Sequence, residues 1–592
     1  MRATKFPFWE RGARGDFLKT RAAFLALPLV VACYCLYFWD LQDIPFYDKG
    51  EAREAVVVSE IYYHNEWILP RRNGVQVPSK PPLFHWLAAA VSKASGSLNE
   101  WTIRLPSALF GALGILLTFA AGVWLWGVSA GFAAAVVLAT SFEWWRAATV
   151  ARVDMTLAFF MVAAFLLFYY IYRKEHVKWA HGPILALLLG LATLAKGPVG
   201  IVLPGFTALV FVWLRRDLAF LNKLRPAASA AVFLLVALSW YGLALWNGGA
   251  DFFQRQIIHE NLAAPLGGGG HRQPLYYFIP SLFAGMAPWS AFLPAVAVFL
   301  YRRRNRLAEE GLLYPVVWFT VVFVFFSIAW TKRSVYILPL YPAVALILGA
   351  WWSDLSKKGK ADSEWLFRLA GYGIGSLFVI AGTVVLSELL GWKVFVNLRG
   401  FLHPKDQANL ALLTALTHDY FWQLVAWSVV SLAGGLVIFR SLWRAHSERL
   451  LACVGLITAA MLSLGNNIIR EEVARVRTLK PFMNRVMQSV EKKGPIFFYR
   501  SQDYGAIFYA RRHVPFLDVK TVTPYFLLMW EREWEQIKGR GGVELLDRSE
   551  GKGPEGKDSI VLVRVRAGAD FPSPMEANAA VPRGRGDPSD EF

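Results

Sequence analysis

Asp48, Glu51, Arg53 and Lys80 fall in one polar stretch, Tyr47 to Trp86, that interrupts an otherwise apolar sequence. Acids and bases gathered at the edge of a bilayer are costly to desolvate, and such clusters bind or transform charged molecules. Lys80 precedes Pro81 and Pro82, whose restricted backbone holds the segment extended and presents the ammonium from a stiff support. A rigid lysine suits phosphate binding; the plainer reading is an interfacial lysine with its stem along apolar surface. Glu51 and Arg53 are two residues apart and would not share a helix face, whereas Asp48 or Glu54 can pair with a neighbour there.

Further polar residues break later apolar runs. Arg152 and Asp154 open one of them, where the carboxylate either caps a helix at its positive end or shares acid–base work with Glu51. Between 248 and 277 lie His259-Glu260-Asn261, four glycines from Gly267 to Gly270, and His271-Arg272; the strip is either a mobile cover over a substrate or a plain linker. His259, Glu260 and His271 are metal-ligand types at a spacing that fits no standard site, so no metal is assigned and a divalent cation stays open. Lys332 and Arg333 stand just before Tyr336 and form either an anion clamp or an interfacial anchor. Lys196, before Gly197-Pro198, has the same two readings.

The elements that position these residues follow from composition. The chain has 592 residues, 56% hydrophobic, with 25 Trp, and its mean hydropathy of +0.38 is too high for a soluble protein. Its net charge of +19 sits in short basic clusters between apolar runs, which marks cytoplasmic loops and excludes a nucleic-acid surface. Cys33, Cys35 and Cys453 lie inside apolar runs, so neither a disulfide framework nor a cysteine zinc site is expected. The first apolar run follows a basic stretch and has no small-residue cleavage site, so it should remain as the first span.

Runs long enough to cross a bilayer lie near 22–40, 103–126, 128–146, 153–172, 182–196, 198–214, 226–246, 278–301, 312–330, 335–353, 368–390, 418–440 and 450–466. They predict an α-helical polytopic membrane protein of about thirteen transmembrane helices. With the N-terminus cytoplasmic, the basic clusters all fall inside, and Glu51, Lys80, Asp154, the 248–277 strip and Lys332-Arg333 converge on the opposite face. The expected organisation is a basic cytoplasmic N-terminus (1–21), a transmembrane domain (22–466) with external loops at 41–102 and 248–277, and a small extracytoplasmic α/β domain (467–570). Residues 571–592, rich in Pro, Gly, Ala and charge, read as a disordered tail. Within the C-terminal domain, 495–499 and 559–563 read as strands and 522–538 as a helix.

Several short motifs recur in the order of a known family. Gly50-Glu51-Ala52-Arg53, Trp67-Ile68-Leu69-Pro70, Lys80-Pro81-Pro82-Leu83, Arg104-Leu105-Pro106-Ser107, Ala151-Arg152-Val153-Asp154, Ala195-Lys196-Gly197-Pro198, His271-Arg272-Gln273-Pro274 and Lys332-Arg333 resemble polyprenyl-phosphate-sugar-dependent glycosyltransferases of the GT-C class. Within that class, the aminoarabinose transferase and protein mannosyltransferase-like enzymes are the nearest subgroup, over roughly residues 40 to 350. The resemblance implies an inner-membrane enzyme that transfers a sugar, with inversion, from an undecaprenyl-phosphate carrier on the periplasmic side. It makes Glu51 part of an acidic-x-Arg motif, Lys80 a contact to carrier phosphate, and Asp154 a second essential acid. Arg53, Lys196, Arg272, Lys332, Arg333 and Tyr336 are expected on the donor phosphate, with Arg152, His259, Glu260, Asn261 and His271 around the substrate. The family often has Asp directly before the Glu, where this chain has Gly50, so either Glu51 takes the role, or Asp48 reaches in, or the acceptor needs no strong base. A lipid A-like glycolipid is the expected acceptor, a protein the alternative, and a lipid-linked substrate transporter the rival class.

Overall fold

In the computed structural model, residues 13–39, 41–268, 272–358, 364–394, 397, 416–444, 447–490, 494–517, 524–553 and 558–566 are described. The N-terminal dozen residues and the tail from 567 onward, including 571–592, lie outside them. Helix α1 (Ala13–Tyr37) leads to α2 (Lys49–His64), α3 (Leu83–Ser95), α4 (Glu100–Trp126), the pair α5 (Val128–Ala139) and α6 (Phe142–Ala148), then α7 (Val153–Tyr172), α8 (His181–Lys196) and α9 (Val199–Leu214).

Capping sets where these helices begin. Asp48 accepts from the Glu51 amide at the head of α2, and Asn99 and Thr102 form a reciprocal capping box on α4. Between α8 and α9 the chain turns at Gly197, whose φ of 90° suits a residue without Cβ, so the 182–196 and 198–214 runs are two helices. Helices α4 and α5 approach closely, since a Cβ on Gly122 would lie 2.6 Å from Gly131 Cα, the small-residue contact by which membrane helices pack.

Among the described residues, seven helices are long and apolar enough to cross a bilayer, and four shorter apolar helices accompany them. The chain is therefore a multi-pass membrane protein. Two runs that read as single spans are bent: α5 and α6 meet at 66°, and Leu275–Gly285 meets Trp289–Arg302 at 111°. At the second bend Pro288 lacks the amide donor that would continue the helix.

Two stretches expected as loops are largely helical. The 41–102 segment forms α2 and α3, and α2 is buried from Glu51 through Ile61. Val56, Val58 and Ile61 join Phe84 of α3 and Phe482, Phe498 and Leu528 from the C-terminal region in one apolar cluster. The 248–277 strip begins as the end of a helix (Pro226–Phe252) and continues in wide π-helical turns over Phe253–Gly268. Those turns place Gln256, Glu260 and Asn261 on one side. Gly269, Gly270 and His271 lie outside the described residues.

The C-terminal region folds as a four-stranded sheet, β1 (Ile496–Phe498), β2 (Tyr525–Trp530), β3 (Val543–Arg548) and β4 (Ile560–Val565), in the order β1-β2-β4-β3. Strand β1 runs parallel to β2, whereas β4 is antiparallel to both its neighbours. The two expected strands are present, but 522–538 is not one helix: residues 525–530 are β2, and the helix covers only Glu531–Ile537. Tyr525–Trp530 is apolar at every position because it is a central strand buried on both faces, a pattern that periodicity alone does not separate from a buried helix. The C-terminal region is fastened to the α2–α3 connection by Asn73, whose side chain accepts from the Val514 amide at 2.9 Å and donates to its carbonyl at 2.8 Å.

Candidate active site

The head of α7 organises the polar centre. Asp154 accepts from Lys196, at the end of α8, on one oxygen and from Arg152 Nε at 3.3 Å on the other. Arg152 also lies 3.7 Å from Asp48. The charges of Asp48, Arg152, Asp154 and Lys196 thus form one network assembled from three helix ends, the heads of α2 and α7 and the end of α8. The ammonium of Lys196 sits 4.6 Å over the Tyr336 ring, a cation–π contact that fixes its direction.

Gly50 is what leaves room for this arrangement. A Cβ there would collide with Arg152 Nη1 and lie 2.8 Å from Asp48 Oδ1, so the arginine occupies the space that a side chain at position 50 would take. Position 50 is in the first turn of α2 at an ordinary helical φ, where Ala would be favoured over Gly by about 1 kcal/mol. Gly50→Ala should displace the guanidinium from Asp154, which offsets the helix gain in thermal unfolding, and should lower turnover about tenfold. Unchanged turnover would separate Arg152 placement from catalysis.

Two cavities meet at this centre. One, of about 370 Å³, carries Lys80, Lys196, Arg53 and Arg333 together with apolar Leu157, Val202, Phe325 and Phe326. The other, of about 280 Å³, is lined by Arg146, Lys332, Gln273 and Tyr277. Arg152, Asp154 and Arg333 line both. Cations outnumber carboxylates in each, so each favours an anion, and only the larger also offers an apolar wall suited to a lipid chain.

Lys80 projects into the larger cavity and pairs with Glu260 Oε2 at 2.5 Å. Glu260 and Asn261 line the same cavity, and Gln256 braces the wall by donating to the Pro78 carbonyl at 2.6 Å. Lys332 donates to the carbonyls of Gln273 (3.0 Å) and Ala329, which holds its ammonium at the smaller cavity.

Other residues singled out in the sequence stand elsewhere. Glu51 is buried and lines neither cavity. Arg104 forks onto it, Nε at 2.8 Å and Nη2 at 3.0 Å, and the Ala151 amide donates at 2.8 Å. Burial opposes its charge, but Arg104 outweighs that cost and holds the carboxyl below its usual range. Asp48 is half-exposed at the start of α2 beside Arg152, outside both linings. Arg272 bridges to Thr331, and neither it nor His259 lines the cavities. His271 lies outside the described residues. Glu260, one of the three metal-ligand types noted in the sequence, is engaged with Lys80, and the candidate set that includes His271 lies partly outside the described residues.

Sequence reading does not assign Glu54, Arg146, Gln256, Gln273 or Tyr277 to the site, although Glu54 stands out as a pairing acid and Gln273 within a family motif. Glu54 lines the larger cavity and bonds Arg53 and His85 at 2.8 Å each. Burial raises the cost of its charge, yet Arg53 and His85 hold its carboxyl well below the usual range. The i, i+1 spacing of Arg53 and Glu54 was its one sequence signal. Arg146 is visible only through the α5–α6 bend that turns its helix toward the site.

In its many-helix membrane body, cation-rich cavities at helix ends and small C-terminal sheet, the chain resembles the GT-C polyprenyl-phosphate-sugar-dependent glycosyltransferases. Residues 79–241 match the family model for dolichyl-phosphate-mannose-protein mannosyltransferase.

Particular relatives narrow this. An undecaprenyl phosphate-alpha-4-amino-4-deoxy-L-arabinose arabinosyl transferase of Aeromonas hydrophila is 26% identical over 65% of this chain and 69% of its own length. An uncharacterized protein of Aquifex aeolicus is 29% identical over 58% of this chain and 66% of its own. The chain thus spans about two thirds of the length of these two relatives. The crystal structure of ArnT from Cupriavidus metallidurans bound to undecaprenyl phosphate shares the fold, with TM-score 0.73 at 20% identity over 91% of this chain and 98% of that one.

Proposed function

We propose that the protein is an inverting membrane glycosyltransferase that moves a sugar from an undecaprenyl-phosphate carrier to a lipid A-like glycolipid at the periplasmic face of the inner membrane. The observation that carries this reading is the meeting of two cavities at Arg152, Asp154 and Arg333, one of them partly apolar and both cationic. The larger suits a prenyl chain with its phosphate at Lys80 and Lys196; the smaller suits an anionic acceptor group at Arg146 and Lys332. The names of the arabinosyl transferase relatives supply the donor class.

In this reading an acceptor phosphate oxygen attacks the sugar C1 from the side opposite the carrier. The C1–O bond to carrier phosphate breaks with its electron pair on oxygen, inverting C1 and releasing undecaprenyl phosphate. Negative charge grows on the departing phosphate, where Lys80, Lys196 and Arg333 stabilise it. A phosphate acceptor is already ionised near neutral pH, so the chemistry asks for positioning more than deprotonation. That agrees with carboxylates held in ion pairs: Asp154 orients Arg152 and Lys196, and Glu54 orients Arg53. Arg152 and Arg333, shared by the two cavities, stand between donor and acceptor. Asp48 tunes Arg152 from outside.

The same proposal places thirteen crossings in the bilayer: the seven long helices, the two bent pairs and the four shorter apolar helices. The N-terminus is cytoplasmic, so that basic clusters stay inside and the C-terminal sheet is periplasmic. Purified protein given undecaprenyl phosphate bearing a radiolabelled sugar should release carrier phosphate only when a lipid A-like acceptor is added. Release supported by a peptide alone would make it a protein glycosyltransferase. Movement of the intact donor across vesicles without cleavage would make it a transporter.

A further inference from the structure

We infer that Glu60, His64 and His513 form a site for one divalent transition-metal ion, of which zinc is the type, fastening α2 to the C-terminal sheet region. The site lies at a third cavity of about 530 Å³, separate from the two described above and lined by all three residues. Glu60 is buried, 3% exposed, in the last third of α2; His64 ends that helix, and His513 arrives from the C-terminal region. Their ligand atoms all lie within 4.8 Å of one another. His513 Nε2 is 3.0 and 2.8 Å from the two Glu60 oxygens, and the His64 and His513 rings stand 4.5 Å apart.

Two imidazoles beside one buried carboxylate is a cation-seeking arrangement. A buried carboxylate is stabilised by positive charge, and an unprotonated imidazole offers a nitrogen lone pair to a metal ion. A divalent ion supplies the charge and takes both lone pairs. Bonds of about 2.0–2.2 Å in a tetrahedral site separate ligand atoms by about 3.4 Å, so small rotations of the two exposed imidazoles close the set. The fourth position opens to the cavity.

The surroundings hold His513 in place. Gly74, at φ 74°, brings the Arg72–Gln76 turn beneath its ring, where a Cβ would meet His513 Cε1 at 3.0 Å. The neighbouring Val514 backbone is gripped on both sides by Asn73. Such an ion would act on α2, whose earlier turns carry Arg53 and Glu54 into the larger cavity. It would stabilise the α2 to C-terminal contact without taking part in transfer.

The test uses the full chain in detergent, affinity tag removed and stripped of metal with a chelator, titrated with cobalt(II) chloride. Wild type should bind one cobalt per chain with the visible d–d bands of a nitrogen- and oxygen-ligated low-symmetry site, zinc should displace it, and zinc should raise the melting temperature by a few degrees. His64→Ala, at an exposed position, should keep the chelator-state melting temperature and lose the bands, and Glu60→Gln should weaken uptake at least tenfold. A wild type that takes up no more cobalt than a His64→Ala/His513→Ala double variant would overturn the site and leave a Glu60–His513 ion pair. Retention of the bands in both single variants would overturn it equally.

Discussion

Lys80→Ala should lower turnover about 10²–10³-fold, the effect of removing one preorganised charge from a transition state in which negative charge develops. The residue stands on Ser79-Lys80-Pro81-Pro82, directly ahead of α3, so its backbone is positioned before any ligand arrives. Its ammonium is in the larger cavity, one-quarter exposed, with Glu260 as present partner. Removing the lysine also strands Glu260, which is nearly buried and would cost stability for reasons unrelated to phosphate. A Lys80→Ala/Glu260→Gln double variant separates the two effects. Its melting temperature should recover toward wild type and its kcat should not. Lys80→Arg should retain part of kcat, because charge is kept although the geometry changes. If Lys80→Ala raises KM for the lipid-linked donor at unchanged kcat, the lysine binds carrier phosphate equally in ground and transition states. Near-normal kcat/KM would remove it from the mechanism.

Glu51→Ala should destabilise the fold by about 3–5 kcal/mol, the cost of breaking a buried ion pair and leaving one charge behind. Arg104 would lose its forked partner while still donating to the carbonyls of Leu41 and Ile44. The Ala151 amide, one residue before Arg152, would lose its acceptor, so the loss would spread to the head of α7. Arg104→Ala should be as severe, since it strands a buried carboxylate. Thermal unfolding in detergent and the yield of folded protein read both. Glu51→Gln is the decisive variant: an amide keeps one acceptor oxygen but not the charge, and should still lose stability with kcat per folded molecule near normal. A Glu51→Gln protein as stable as wild type and inactive would return Glu51 to the chemistry as a base.

The membrane class, the positions of most helices and the segments that carry the cations are determined by the sequence itself. They depend on local quantities: the length of an apolar run against the thickness of hydrocarbon, prolines that break helices, and basic clusters between runs. Lys196, Lys332 and Arg333 could be named because a charge at the end of an apolar run is conspicuous wherever the chain goes next, and Lys80 because two prolines stiffen the chain directly after it.

Which carboxylates face the cavities was decided only by tertiary structure. Glu51 and Glu54 are three residues apart on α2, yet one is clamped by Arg104, 53 positions away, while the other lines the larger cavity. Because α2 is buried from Glu51 to Ile61, no polar face marks either acid as the exposed one. The pairing of Lys80 with Glu260 spans 180 residues, and the space left by Gly50 has meaning only with the Arg152 guanidinium in it. Charge pairing in a low-dielectric interior depends on distances of a few ångströms between helix ends. Those distances are set by how the helices pack, which local composition does not encode.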